Sequence, residues 1–294
     1  MERRSCLAVL AALGVLLAGC DGQTGPWAAD SGPDGIEASG PLAPEKLIGA
    51  WTISGLDDPG GGTVLHLAHR EVQLVGTRCG ILGGSWRADT DGVFLADIDS
   101  AYVDSTEGVP GCERAAQDTP EWLRRVTAYR FDGAGRPTLL DGRSRPVARL
   151  IPGATPTPGP NMLDSALDPP TVTDEARRDL APAAPLPATL SPADQRRLVG
   201  RWVPGSGHRA AYVEFDANGE WRGSDGCNDS DGRWITADGG TLFALAGAVT
   251  LVACAASVPV EHWLWTARRA GFDGEALVLL DAQGRETGRL HPAV

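Results

Sequence analysis

Oxygen-bearing side chains crowd one cysteine in the C-terminal third of the chain: Asp225, Asn228, Asp229 and Asp231, the last followed by Gly232, around Cys227. Hard oxygen donors at such spacing are what calcium takes. The segment departs from a calcium loop because a thiol stands where another acidic ligand is needed and no glutamate closes the far end. It reads as a solvated turn, and no metal is expected there. His66 and His69 lie in a strand-like stretch, where alternation puts them on opposite faces and out of reach of one metal. His208, His262 and His291 are scattered singletons. Asp97, Asp99 and Asp104 could pair for acid–base work, but nothing in the sequence fixes their geometry, and an acidic loop is the plainer reading. Neither a Gly-x-Ser-x-Gly elbow nor a phosphate-cradling glycine loop occurs. The sequence therefore nominates no catalytic residue and no cofactor, and no enzymatic activity is expected.

Cysteine is the more informative residue type. After a basic start, Met1-Glu2-Arg3-Arg4, a short apolar run extends from Cys6 to Leu17 and ends in Leu17-Ala18-Gly19-Cys20, followed at once by polar Asp21-Gly22-Gln23. The run is too short to span a bilayer and has the flanks of a secretory signal. Its last four residues resemble a bacterial lipobox, which implies cleavage before Cys20 and a diacylglyceryl group on that thiol. Residues 1–19 are then a signal peptide, and the formal charge moves from −12 to −13 on its removal. Acyl chains contribute roughly 0.8 kcal/mol per buried methylene, so the expected location is the cell envelope, facing the periplasm or exterior, with the membrane as a partner through the N-terminal anchor. Asp21 resembles an inner-membrane retention signal of some Gram-negative groups. No other segment approaches the length of a spanning helix.

Residues 20–46 are rich in Gly, Pro, Ser and Asp and read as a flexible tether; residues 153–197 form a second, Pro-rich linker with room for a helical turn near Asp174 to Leu180. Between and after them lie two segments, 47–152 and 198–294, that look like copies of one unit. Leu47-Ile48-Gly49-Ala50-Trp51 matches Leu198-Val199-Gly200-Arg201-Trp202. Cys79, Gly84 and Trp86 match Cys227, Gly232 and Trp234, Cys112 matches Cys254, Trp122 matches Trp263, and Leu139-Leu140-Asp141 matches Leu279-Leu280-Asp281. Each unit is mostly strand. In the second, Ala211 to Phe215 alternates and turns at Asp216-Ala217-Asn218-Gly219, a hairpin signal. Further strands are expected at Arg233–Thr236, Thr241–Leu245, Val249–Ala253, Ala276–Leu280 and Glu286–Leu290. A helix capped by Ser257 is expected to run to about Arg269. The first unit repeats the plan, with its helix starting at Asp118-Thr119-Pro120-Glu121 and its last strands at Pro137–Leu140 and Pro146–Ile151. The expected fold class is mainly β with one helix per unit, α+β, as two tandem curved antiparallel sheets or barrels.

With Cys6 removed and Cys20 lipidated, four cysteines remain and allow three pairings. The repeat selects Cys79 with Cys112 and Cys227 with Cys254, each inside its own unit. Loops of about 30 residues give roughly 3–4 kcal/mol per staple in a chain-entropy account. A metal or redox role is disfavoured because no Cys-x-x-Cys occurs and no His stands nearby.

At the second unit the residues become specific. Gly226-Cys227-Asn228, then Gly232, then Thr250-Leu251-Val252-Ala253-Cys254 resembles the META domain, also called HslJ-like, whose members carry a Gly-Cys-Asn turn, a following Gly and a Thr-x-Met-Ala-Cys segment before a helix. Val252 stands where Met is usual. The first unit is more diverged: Cys79-Gly80 lacks the Asn, and Val109-Pro110-Gly111-Cys112 replaces the second motif. The resemblance implies a small β-rich envelope domain, often borne on a lipoprotein, with some members linked to heat shock or antibiotic tolerance and no catalytic chemistry to transfer.

Composition narrows the class of partner. The chain has 294 residues, 42% apolar, with 38 acidic against 26 basic residues. So acidic a surface argues against nucleic acid. Lys46 is the single lysine, and the arginine bias reads as a property of the genome. The recurring pairs Trp51/Trp202, Trp86/Trp234 and Trp122/Trp263 are expected in the core, while Trp265 is a candidate for an exposed binding patch. The sequence reading is a non-enzymatic, lipid-anchored envelope protein acting in maintenance or stress tolerance by binding an unknown envelope protein or small ligand. Its alternatives are a carrier holding a small apolar molecule in a barrel cavity and an envelope-acting hydrolase.

Overall fold

Alternating apolar runs bounded by Gly, Asp and Pro favour hairpins over crossovers, and the chain closes nearly every neighbouring pair of strands antiparallel. A computed structural model describes residues 41–56, 63–77, 80–102, 119–156, 164–207, 210–247, 252 and 255–293. The first sheet comprises β1 (Gly49–Ser54), β2 (Val64–Leu67), β3 (Glu71–Thr77), β4 (Gly80–Ala88), β5 (Phe94–Tyr102), β6 (Val126–Phe131), β7 (Pro137–Asp141) and β8 (Pro146–Pro152). Its order is β5-β4-β3-β2-β1-β8-β7-β6. After the two-residue strand β9 (Ser191–Pro192) come β10 (Gly200–Pro204), β11 (Tyr212–Phe215), β12 (Glu220–Ser224), β13 (Asp229–Ala237), β14 (Thr241–Ala246), β15 (Arg269–Asp273), β16 (Ala276–Leu280) and β17 (Glu286–Pro292). These order as β14-β13-β12-β11-β10-β17-β16-β15, with β9 added beside β15. Apart from β9, the two orders are the same. Each sheet curls until its ends meet: Thr241 pairs with Arg269 in the second, and Val93 bridges Ala128 in the first. The mainly β, two-unit architecture expected from the sequence is what the chain adopts.

The interiors are packed with indoles whose N–H groups all reach backbone carbonyls. Trp51 Nε1 donates to Leu47 O and Trp202 Nε1 to Leu198 O, both at 2.8 Å. Trp86 Nε1 donates to Ala68 O at 2.7 Å, and Trp234 Nε1 to Glu220 O at 2.9 Å and Asp216 O at 3.2 Å. Trp221, which the repeat leaves unpaired, is also fully inside and donates to Leu245 O at 2.8 Å. An indole enters a core without penalty only when its N–H finds such a partner. Rings pack on one another as well, Trp86 on Phe94 and Phe215 edge-on to Trp234. Trp122 and Trp263 are half-buried at the edges of these clusters.

The helices are shorter than expected. The one in the second unit spans Val260–Thr266, with Pro259 at its cap and no side chain capping it. It ends before Arg269 because that residue opens β15, whose pairing with β16 takes precedence. In the first unit the helix is Glu121–Arg124. Thr119, expected in its cap, turns instead to β5, where its hydroxyl donates to the Asp97 carboxylate and accepts from Ile98 N. No helix among the described residues is long and apolar enough to cross a membrane.

Much of the stretch assigned to a linker is docked. Helix Asp174–Asp179, capped by the Thr173 hydroxyl accepting from Ala176 N, buries Ala176 and Leu180 against the first core. Further along, β9 pairs with β15 and Ala193 sits in the second core. The sheets also touch directly, β5 on β13 and β4 on β14. Val93, Leu95, Phe243 and Leu245 form the buried centre of this contact, with Trp265 packed beside them. Trp265 is therefore not an exposed patch: its ring is half-buried and faces the guanidinium groups of Arg70 and Arg87 at 5.8 and 5.7 Å.

Two glycines are required by close approach rather than by turn geometry. A Cβ on Gly84 would lie 1.9 Å from Asp97 O, and one on Gly232 would lie 1.9 Å from Leu245 O. Both obstacles are backbone of the paired strand, which cannot rotate away. Gly84→Ala and Gly232→Ala are each expected to cost about 2–4 kcal/mol, read as a lower urea midpoint with the slope unchanged.

Candidate functional site

The residues singled out by their spacing fall at the turn between β12 and β13. Gly226 adopts φ +99°, which an L side chain rarely does, and lets the chain double back within four residues. Asp225 organises the turn. Its Oδ1 accepts from Cys227 N at 2.7 Å and Asn228 N at 2.6 Å, and its Oδ2 accepts from Asn228 Nδ2 at 3.1 Å. Asn228, buried, carries the longer-range link. Its Nδ2 donates to Val252 O at 2.9 Å and its Oδ1 accepts from Val252 N at 2.8 Å. One amide side chain thus takes both backbone groups of a residue 24 positions away, as a strand neighbour would. The valine side chain is left 59% exposed.

The Asp225 oxygens and the Asn228 oxygen point at N–H donors, so they are committed to the turn. No group of three or more candidate metal-ligating side chains occurs among the described residues. Glu261, in the first turn of the following helix, has its pKa raised by burial and by the charge of Asp225. Cys227 is disulfide-bonded. The other five cysteines, Cys20, Cys79, Cys112 and Cys254 among them, lie outside the described residues, as do Thr250 and Ala253. In the first unit Gly80 takes the place of Asn228, and there is no amide to make the equivalent link.

The remaining candidates disperse. His66 is 2% exposed in β2 and its Nε2 has no partner among the described residues; burial lowers its pKa. His69 lies in the turn after β2, so strand alternation does not govern it, and its Nε2 is 3.0 Å from Asp179 Oδ2. His262 and His291 are exposed, and His208 and Asp104 lie outside the described residues. Asp97 has its pKa raised by burial, against the Thr119 hydrogen bond and the charge of Arg233; Asp99 is raised by burial as well. Both sit in β5 beside the second sheet rather than in an open cleft.

A charge cluster around Asp179 carries no signal in the spacing of the sequence. Asp179, the last residue of the connecting helix, binds the Arg70 guanidinium through both carboxylate oxygens and accepts the contact from His69. Its backbone carbonyl accepts from Arg268 at the start of the last three strands of the second sheet. Burial opposes ionisation of Asp179, but the hydrogen bonds from Arg70 and His69 and the charges of Arg70 and Arg268 outweigh it and bring the pKa to about 2. The only local signal was an acidic residue closing a short amphipathic stretch.

Comparison with known proteins places a family match on the second sheet: residues 195–293 match the family model of the META domain. No curated protein and no solved structure matches the chain. The matched span begins with Gln195 and holds the Asp225–Asn228 turn, Val252 and the helix that follows.

Two measurements check these contacts. Asn228→Ala leaves the Val252 amide and carbonyl without partners and is expected to cost about 2–3 kcal/mol, with much faster hydrogen exchange at Val252 N–H than in the parent. For Asp179, a folded pKa below the unfolded value of 3.8 means that its contribution is complete above that value and is lost as pH falls towards 2. Asp179→Asn should therefore show a shallower loss of melting temperature between pH 4 and 2 than the parent protein, by thermal scans in that range.

Proposed function

Proceeding from a META domain at residues 195–293, we propose that this chain is an exported bacterial envelope protein, held to a membrane by lipid on Cys20 and acting there by binding rather than catalysis, in envelope maintenance or stress tolerance. The observation that carries the reading is the apolar run ending in Leu17-Ala18-Gly19-Cys20 on a chain with that domain. Three features support it. The first sheet has the strand order of the second, which favours a diverged second copy over residues 47–152. The pairing Cys227–Cys254, with Cys79–Cys112 in the first copy, suits an oxidising compartment. The polar groups of the Asp225–Asn228 turn serve to hold Val252 outward, a surface for contact and not a set of reacting groups.

The interiors favour an outer binding surface over a ligand-carrying lumen. Trp202, Phe215, Trp221 and Trp234 fill the space that a carrier would keep open. The test is expression of the full-length chain with its own leader in a bacterial host, with metabolic labelling by a palmitate analogue and membrane fractionation. The parent should be labelled and should sediment with membranes. Cys20→Ala should be unlabelled and should move to the soluble fraction. Equal labelling of the two, or a parent that stays soluble and unlabelled, would overturn the reading.

A further inference from the structure

Where the connecting helix meets both sheets, three arginines surround a cavity of about 10 Å³ that opens to solvent. Arg70 and Arg87 come from the first sheet, Arg268 from the second, and Asp179 and Leu180 from the segment between them. Asp179 is the one carboxylate in the lining, and Arg70 and His69 already occupy its oxygens. The other two guanidinium groups have little else. Arg87 Nη1 donates to Ala267 O at 3.1 Å and Arg268 Nη2 donates to Asp179 O. Among the described residues no other hydrogen-bond acceptor meets either group. Arg268 is 7% exposed, and both cations lie over the Phe243 ring, at 5.2 and 5.3 Å.

Arg268 is buried and Arg87 half-buried, and the charge of Arg268 adds to burial in lowering the pKa of Arg87, so the two cations form an unbalanced arrangement. A buried charge needs an opposite charge or a full set of hydrogen bonds. The lining holds three guanidinium charges against one carboxylate, around a space just large enough for one small particle. We infer that this cavity is a binding site for a small monovalent anion of chloride size, held between Arg87 and Arg268 and bridging the two sheets. Phosphate and organic acids exceed the space. Because the ligating groups come from both sheets and from the segment joining them, the anion stabilises their docked arrangement by mass action. This site does not depend on the envelope reading above.

The experiment uses the full-length protein. Melting temperature is followed as chloride replaces gluconate at constant ionic strength. Gluconate cannot enter the cavity, and as the more strongly salting-out anion it would otherwise favour the folded state. At chloride about tenfold over its dissociation constant the expected gain is roughly 3–5 °C, saturating with concentration. Chloride line broadening in 35Cl NMR provides a second readout at one temperature. Arg87→Met and Arg268→Met, which keep the packing on Phe243, should each abolish both responses. Should one variant fail to fold, the other decides. Equal melting in chloride and gluconate, or broadening that persists in a folded variant, overturns the inference.

Discussion

A buried indole must bring its N–H to an acceptor, and both sheets are arranged around that requirement. The first strand of each enters beneath a short turn whose carbonyl, Leu47 O or Leu198 O, receives the N–H of the tryptophan four residues on. A second tryptophan, two residues beyond the glycine of the fourth strand, reaches the carbonyl that follows the second strand, Ala68 O or Asp216 O. These bonds fix where each ring enters and therefore how far the sheet must curl to cover it. The curl brings the fourth and fifth strands close enough at Gly84 and Gly232 that no side chain fits between them. Interior filling, curvature and the glycine requirement are one constraint seen at three places.

Outside the cores, polarity is spent on turns. Asp141 accepts from Arg143 N and Arg145 N while binding the Arg145 guanidinium, and Asp281 does the same with Gln283 N, Arg285 N and Arg285. Asp132 repeats the device with Arg136. Asp225 belongs to the same habit, with the difference that Asn228 extends it to a distant segment. A carboxylate that closes a turn in this way is not available to a ligand, which is why the acidic residues most conspicuous by spacing are the least open to chemistry.

The hairpin strands were legible because alternation and the turn residues at Asp216–Gly219 act locally, and because two segments carried the same landmarks; the strand order and β15 carried no such local signal. The pairs Trp51/Trp202 and Trp86/Trp234 could be placed inside for the same reason, whereas Trp122 and Trp263 stay half-buried at the edges. Helix ends were misread: Ser257 and Arg269 have the right types for a cap and a last turn, but β15 claims Arg269 through pairing that local propensity does not register. Residues 172–193 looked like a tether because proline is what a tether has, yet Ala176, Leu180 and Ala193 are buried by surfaces that exist only after both sheets have formed. Trp265 was offered to solvent for a related reason, since the face it covers belongs to the other sheet. The arginines at 70, 87 and 268 carry no spacing signal, being nearly 200 residues apart at the extremes, and in a chain that uses arginine almost to the exclusion of lysine they did not stand out.

The contact between the sheets is reciprocal: the fifth strand of the first lies on the fourth of the second, and the fourth of the first on the fifth of the second. That is the signature of a self-complementary patch, the kind that pairs separate molecules about a twofold axis. Here both patches are carried by a single polypeptide, so each meets its counterpart at a local concentration set by the intervening chain and not by abundance. The pairing is consequently indifferent to dilution, and a molecule expressed at a few copies per cell closes as completely as one expressed at thousands.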